Sequence, residues 1–190
     1  MTIFLILAPY GAFAMLMLVS SGVVSLFAAA AICLMVIAYD RLRGRSVKML
    51  GLGSAILFTA LGCTLALTDS VWSSSAVKLA VDAGVLVIAL ASLAIGKPFT
   101  LQYAREVVDA ETAGLPGFLT ANYVISWAWA LAFLLMMMAN VLLIYLPGLP
   151  LWSGLAIAFA ARNSAIYFTR WYPEYRKARV AAPAAAPAVS

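Results

Sequence analysis

The sequence predicts an all-α fold, a polytopic membrane helix bundle of about six transmembrane helices with an interfacial segment after the fourth. Three observations predict it. Apolar residues make up 66% of the chain and charged residues only 10%, whereas soluble domains contain roughly 45–50% and about 25%. The apolar residues form blocks close to the roughly 20 residues that cross a hydrocarbon core. These blocks fill most of the 190 residues, which predicts a single transmembrane domain over residues 1–179.

Two apolar blocks begin the chain, at residues 3–19 and 23–39, and each is predicted to be a transmembrane helix. A cleaved signal peptide requires a charged region before its apolar stretch, and no basic residue precedes Arg41. We therefore expect the first block to be retained and to cross the membrane. If it does not cross, five helices cross and the N-terminus lies outside.

The third and fourth helices are predicted at residues 49–67 and 76–96, and the fourth ends at the tripeptide Gly96-Lys97-Pro98. Proline lacks a backbone N–H and disfavours helical geometry at the residue before it, so this tripeptide predicts a break at the membrane surface. The segment 97–118 that follows is aromatic and charged, which is typical of an interfacial segment in the head-group layer.

The last two helices are predicted at residues 121–146 and 151–168, joined by a tight turn that contains two prolines. Residues 169–179 are aromatic and basic. The final residues, 180–190, are almost all alanine, valine and proline. We expect a disordered tail there, because such a segment has little to bury.

The basic residues predict the orientation of the bundle. Ten of the twelve lie in the loop 40–48, the segment 97–118 and the stretch after residue 168. With six crossings these regions share one side. The positive-inside rule then places them, and both termini, in the cytoplasm. Basic residues between apolar blocks act as orientation signals and lipid contacts, so we expect membrane lipids as partners and no nucleic acid.

Composition also excludes several kinds of site. There is no histidine, and the two cysteines, Cys33 and Cys63, both lie inside apolar blocks. A disulfide scaffold, a zinc centre and a histidine-based catalytic site therefore have no support, and we expect no enzymatic activity, no metal and no cofactor. Glu106, Asp109 and Glu111 are acidic neighbours that suit a solvated face better than a metal site.

Polar side chains inside membrane helices are the candidate functional residues, because burying them in lipid is unfavourable. Lys78 and Asp82 are one helical turn apart. Two interpretations fit: a local ion pair near the outer interface, or an Asp82 that lines a polar cavity or relays a proton. Asn140 lies mid-membrane after three methionines, as a hydrogen-bonding contact between helices or as a ligand contact.

Arg162 and Asn163 lie in the inner half of the sixth predicted helix. Counting residues from the inner surface places Arg162 and Asp82 roughly 10 Å apart in depth, too far for a direct pair between untilted helices. The alternatives for Arg162 are a water-filled vestibule, a lipid phosphate, or a contact with Glu106.

The segment after the break holds the remaining candidates, which are Lys97, Gln102, Tyr103, Arg105 and Glu106. If it is helical, its aromatic residues fall on one face and its polar residues on others. It is then either a surface anchor or, alternatively, a cap on a cytoplasmic cavity or a site that docks a partner.

Several short motifs carry a resemblance. They are residues 4–9, the basic loop 41–48, Lys97-Pro98, Asn122 before Trp127-Ala128, Ala139-Asn140, and Tyr145-Leu146-Pro147. In this order they resemble the bacterial inner-membrane family of intracellular septation protein A, over roughly residues 4–172. The run GKPFTLQYARE at residues 96–106 also resembles a segment of uncharacterised bacterial membrane proteins. The resemblance implies a bacterial inner-membrane protein of cell envelope maintenance and septation that acts through partners, and it carries over no catalytic residues. The run 100–106 and the alanine- and proline-rich tail depart from that family.

Two classes of function fit these features. The first is a non-enzymatic membrane protein that docks envelope or division proteins, or serves as a small subunit of a membrane complex or homo-oligomer. The second is a small transporter or channel with a polar pathway through Asp82, Asn140 and Arg162. The second requires at least two of these side chains to face a common cavity.

Overall fold

The computed structural model describes residues 2–68, 72–146 and 148–184, and helix is the only regular secondary structure within these ranges. Eight helices run through the described residues. They are α1 Thr2–Leu16, α2 Gly22–Leu42, α3 Met49–Leu67, α4 Ser74–Ala94, α5 Phe99–Ala104, α6 Ala110–Gly114, α7 Pro116–Tyr145 and α8 Leu151–Ala184.

Four of these helices, α2, α3, α4 and α7, are long and apolar enough to cross a membrane. The predicted all-α membrane fold is therefore confirmed at this level. Helix α1 contributes a shorter apolar stretch, Leu7–Leu16. Helix α8 is long, but it carries Arg162 and Asn163 within its apolar half.

The two ends of the chain differ most from the predicted boundaries. Helix α1 ends at Leu16, three residues before the predicted end. Helix α8 continues to Ala184, so residues 180–184, predicted to be disordered, are helical, and residues 185–190 lie outside the described residues. Alanine is the strongest helix former, and aromatic side chains on successive turns stack along α8, which together favour its continuation past Pro173.

The long helices pack chiefly on their neighbours in the chain. Helix α1 packs on α2, α2 on α3, α3 on α4, α4 on α7, and α7 on α8. Connections of five or six residues join α1 to α2, α2 to α3, α3 to α4 and α7 to α8, which favours antiparallel packing of each pair. The small helix α5 packs mainly on α7 and also touches α3 and α4, so it sits across one end of the bundle.

The core lies between α1, α2, α3 and α4. Phe58 is fully buried there, and its ring contacts Tyr10 and Phe13 of α1 at centroid distances of 5.8 and 5.6 Å. Tyr10 also hydrogen-bonds Ser54 on α3. Gly84 lets α4 approach α3 closely, since a Cβ there would lie 2.3 Å from a methyl carbon of Leu57.

Two turns at one end of the bundle have the same structure. Gly44 after α2 and Gly96 after α4 adopt left-handed φ values of 69° and 74°. In each turn, the glycine N–H and the following N–H donate back to carbonyls of the last helical turn. This Schellman pattern satisfies carbonyls that a helix end leaves unpaired. Helices α4 and α5 lie on either side of the predicted break at Gly96-Lys97-Pro98.

These turns belong to the end of the bundle that we call the basic end. It contains residues 40–48 at the end of α2 and before α3, residues 95–115 with the helices α5 and α6, the first turn of α7, and α8 from residue 169 onwards. Arg176 of α8 ties this end together by donating to the carbonyl oxygen of Gly117 at 2.8 Å. Ten of the twelve basic residues of the chain lie here, which matches their predicted sharing of one side.

Candidate functional site

A large cavity lies between α1, α4, α7 and α8, with α5 across its basic end. Its volume is about 1160 Å³, above the roughly 300–1,000 Å³ of ordinary ligand pockets. On α8 the lining residues extend from Gly154 to Lys177, which corresponds to roughly 35 Å along a helix. The cavity is therefore at least as long as a hydrocarbon core of about 30 Å is thick.

Its walls are mostly apolar. Phe13, Val85 and Ile125 are buried and belong to three different helices. Trp129 of α7 lines the cavity and donates its indole N–H to the hydroxyl oxygen of Thr169 on α8 at 3.0 Å. That hydrogen bond joins the α7 and α8 walls of the cavity.

Asp82, Asn140 and Arg162, predicted on three different helices, all line this cavity. Asn140 donates its side-chain N–H to Asp82 at 2.8 Å and to the carbonyl oxygen of Met136 at 3.2 Å. Asn140 therefore links α4 to α7, which agrees with its interpretation as a hydrogen-bonding contact between helices. Its side chain also faces the cavity. Arg162 lines the cavity from α8 without forming an ion pair with Asp82 within 4.0 Å.

Lys78 and Asp82 do not form a contact ion pair. Lys78 lines the outer part of the cavity, but within the described ranges it forms no ion pair within 4.0 Å. The carboxylate of Asp82 turns instead to Asn140, because the amide across the helix interface can donate directly to it. Asp82 therefore lines the cavity and contributes a polar group to it, which agrees with the second interpretation.

Two further expectations for α8 are also corrected. Arg162 does not contact Glu106, because Glu106 is held at the basic end by Lys48. Asn163 does not line the cavity; it is exposed on the outer face of α8 and donates back to the carbonyl oxygen of Phe159 at 2.8 Å. Adjacent residues of a helix point in different directions, so only one of this pair faces the cavity.

The segment after the break is anchored into the bundle by hydrogen bonds. Its first three helical residues, Phe99, Thr100 and Leu101, are buried. The Thr100 hydroxyl donates to the carbonyl oxygen of Asn122 at 2.9 Å and lies 2.8 Å from the Ser126 hydroxyl on α7. These contacts make α5 part of the wall of the bundle. A surface anchor would instead leave these three residues exposed.

Gln102 and Tyr103 continue this anchoring. The side-chain oxygen of Gln102 accepts the backbone N–H of Met49, the first residue of α3, at 2.7 Å. Tyr103 lines the cavity, and its ring lies 5.7 Å from the ammonium of Lys48. Burial raises the pKa of Tyr103 well above its ordinary value, so its phenol stays protonated. Its position fits a cap on the basic end of the cavity.

Four charged residues form a network behind this cap, which we call the basic-end network: Asp40, Arg45, Lys48 and Glu106. Lys48 donates to Asp40 at 2.7 Å and lies 3.0 Å from a carboxylate oxygen of Glu106. Arg45 lies 3.6 Å from Asp40 and 4.0 Å from Glu106. The Lys48 side chain is only 5% exposed. Both carboxylate oxygens of Glu106 are buried and accept no hydrogen bond from a described residue, so charge alone compensates them.

Sequence reasoning identifies Glu106 but misses the other three members of the network, since it interprets the basic loop as orientation signals and lipid contacts. The sequence does contain a signal for the pair of Asp40 and Lys48. Asp40 lies four residues before Gly44 and Lys48 four residues after it, so a glycine turn folds the opposite charges together. Lys97 and Arg105, also candidates, are exposed and lie outside the cavity lining.

The acidic neighbours after the cap have a local role. Asp109 is the N-cap of α6 and accepts the backbone N–H of Thr112 at 2.7 Å. That hydrogen bond lowers the pKa of Asp109 below its ordinary value. Across the part of the chain that the structure describes, no group of three His, Cys, Asp or Glu residues could hold a metal ion.

Comparison of the chain with protein-family models, with curated proteins and with solved structures finds no match. The likeness to intracellular septation protein A therefore stays a prediction from the short motifs. The arguments for function rest on the cavity and on the polar residues that line it.

Proposed function

We propose that this protein is a small membrane transporter, and that the cavity between α1, α4, α7 and α8 is its substrate pathway. One observation carries the proposal: Asp82, Asn140 and Arg162 come from three different helices and line the same cavity. Polar and ionisable groups inside a membrane bundle are unfavourable, and they mark substrate pathways where they face a common space. The transporter hypothesis required at least two of these side chains to do so.

The same proposal includes the topology. The short α1 and the long α8 complete six crossings with the four apolar helices, which puts both termini on the side of the basic end. The positive-inside rule supports a cytoplasmic basic end, and the predicted location is the bacterial inner membrane. Tyr103 and the rest of α5 then close the cavity towards the cytoplasm, and Lys78 lies towards its outer opening.

Cysteine labelling tests the pathway. The two native cysteines are first removed by Cys33→Ala and Cys63→Ala. In this background, a single cysteine replaces either Arg162 or its neighbour Asn163. A water-soluble, membrane-impermeant thiol reagent is then applied to each variant in vesicles. A thiol reacts as its thiolate, which needs water. We expect Arg162→Cys to be labelled much faster than Asn163→Cys, since Arg162 faces the cavity and Asn163 faces lipid.

The neighbouring position is the matched control, because it lies at the same depth on the same helix. If the two cysteines react at the same slow rate, the cavity contains no water and the transport proposal fails. Size-exclusion chromatography of both variants confirms that a difference in labelling does not come from unfolding.

The docking hypothesis is a second proposal, supported by the exposure of Lys97 and Arg105 at the basic end. Glu106 belongs to the basic-end network instead, so a partner would contact the two exposed cations. A protein of cell envelope maintenance or septation, another membrane protein or a second copy of this chain would be such a partner. Charge reversal in Arg105→Glu should abolish co-purification of that partner. Co-purification at the wild-type level would contradict the docking role of this surface.

A further inference from the structure

The charges that line the cavity favour a negatively charged molecule. Five basic side chains line it against two acidic ones, an excess of three positive charges. The basic side chains are those of Lys78, Arg162, Arg170, Arg176 and Lys177, and the acidic ones are those of Asp82 and Glu174. Glu174 is already paired with Lys177 at 3.2 Å, and Asp82 accepts a hydrogen bond from Asn140. The acidic residues therefore leave most of the positive charge free to act on a ligand.

Two arginines on α8 are the strongest candidates to bind that ligand. Arg162 is half-buried and Arg170 is exposed, and neither forms an ion pair within 4.0 Å with a residue that the structure describes. Arg170 lies 19 residues after Leu151, roughly 28 Å along the helix, which is the level where a hydrocarbon core of about 30 Å ends. Arg162 lies roughly 12 Å deeper.

The walls and the shape of the cavity favour a ligand with hydrocarbon chains. Most of the residues between the charges are apolar, and they belong to α1, α4, α7 and α8. Helix α1 packs chiefly on α2, and α8 chiefly on α7, although both line the cavity from opposite sides. Since α1 and α8 do not pack extensively on each other, we infer that the cavity opens between them towards the acyl chains of the bilayer. Its volume exceeds that of ordinary small-molecule pockets.

We propose that the cavity binds an anionic phospholipid. Its phosphate is held by Arg170 at head-group level, and its acyl chains lie along the apolar walls. Arg162 offers the phosphate a second position deeper in the bundle. A guanidinium binds phosphate through two parallel hydrogen bonds, so an arginine suits either position. This inference rests on the proposed transport function and names its substrate class.

Lipid retention measured by native mass spectrometry tests the inference. The purified protein is incubated in detergent with palmitoyl-oleoyl phosphatidylglycerol or with the phosphatidylcholine that has the same chains and no net charge. Both lipids carry a phosphate, but phosphatidylcholine also carries a choline cation that the excess positive charge of the cavity repels. We therefore expect the wild type to retain phosphatidylglycerol about tenfold more. Arg170→Gln and Arg162→Gln should each remove most of that preference. Arg105→Gln, which alters an exposed arginine at the same end outside the cavity, should keep it.

Three results would overturn the proposal. The first is equal retention of the two lipids by the wild type, and the second is an equal loss of preference in Arg105→Gln. The third is binding of inorganic phosphate in equilibrium dialysis without a preference for phosphatidylglycerol, which would assign the arginines to a water-soluble anion. If Arg162→Cys is still labelled from water in any of these cases, the pathway stands and only the lipid assignment fails. If it is unlabelled, both fail.

Discussion

Replacement of Lys48 by methionine is expected to lower the free energy of unfolding by about 3–5 kcal/mol. The ammonium of Lys48 is the centre of the basic-end network, 2.7 Å from Asp40 and 3.0 Å from Glu106. Methionine fills a similar volume without charge. The change therefore leaves two buried carboxylates facing each other, with only the partly exposed Arg45 near them. Titration of the purified protein with sodium dodecyl sulfate, followed by far-UV circular dichroism, measures the loss.

The matched control is Lys97→Met, since Lys97 is exposed at the same end of the bundle. It should change stability by less than about 0.5 kcal/mol. A triple variant separates the charge from the packing. Adding Asp40→Asn and Glu106→Gln to Lys48→Met should restore much of the stability, because neutral groups are less unfavourable to bury than unpaired charges. A triple variant as unstable as Lys48→Met would contradict this electrostatic account.

The second large effect is expected for Phe58→Ala, which should lower the free energy of unfolding by about 2–4 kcal/mol. Phe58 is fully buried and supports Tyr10 and Phe13, the aromatic residues of the α1 wall. In a membrane bundle, helix association depends largely on close packing, so the empty volume left by the ring is unfavourable. The same detergent titration measures it.

Because Tyr10 and Phe13 line the cavity, loss of the Phe58 ring should also loosen the α1 wall. Phe159→Ala is the matched control: it removes the same ring from a side chain that is 72% exposed on the outer face of α8. We expect little change there. Equal destabilisation by the two variants would show that Phe58 does not hold α1 in place.

The sequence predicts those parts of the fold that depend on local chemistry. Apolar blocks identify the crossing helices, and Gly96-Lys97-Pro98 identifies a break, since these signals reside in consecutive residues. The contact between Asp82 and Asn140 joins residues 58 positions apart, and no periodicity encodes it. The prediction that Arg162 is too deep for a direct pair with Asp82 agrees with the absence of an ion pair within 4.0 Å, yet both line one cavity.

Side-chain burial at the basic end is the other feature that sequence reasoning could not supply. A basic loop and a polar segment both suggest a hydrated surface, because charged residues are rarely buried unless paired. Here Lys48 is buried because Asp40 and Glu106 arrive from α2 and from the residues after α5. Only the tertiary arrangement shows that Lys48 and Arg45 together balance the two carboxylates. The length of α8 was likewise underestimated, since the apolar pattern ends before the helix does.

The basic-end network also has a consequence for biosynthesis. The chain emerges from its N-terminus, so Lys48 meets Asp40 within the α2–α3 hairpin before Glu106 has been made. That lysine therefore has a counter-ion from the moment the hairpin forms, and Glu106 later meets a cation already in position. Asp82 and Asn140 lie on α4 and α7, so both are translated before α8 and can pair without it. The order of translation therefore lets Lys48 pair with Asp40 before Glu106 is made, and Asn140 with Asp82 before Arg162 is made.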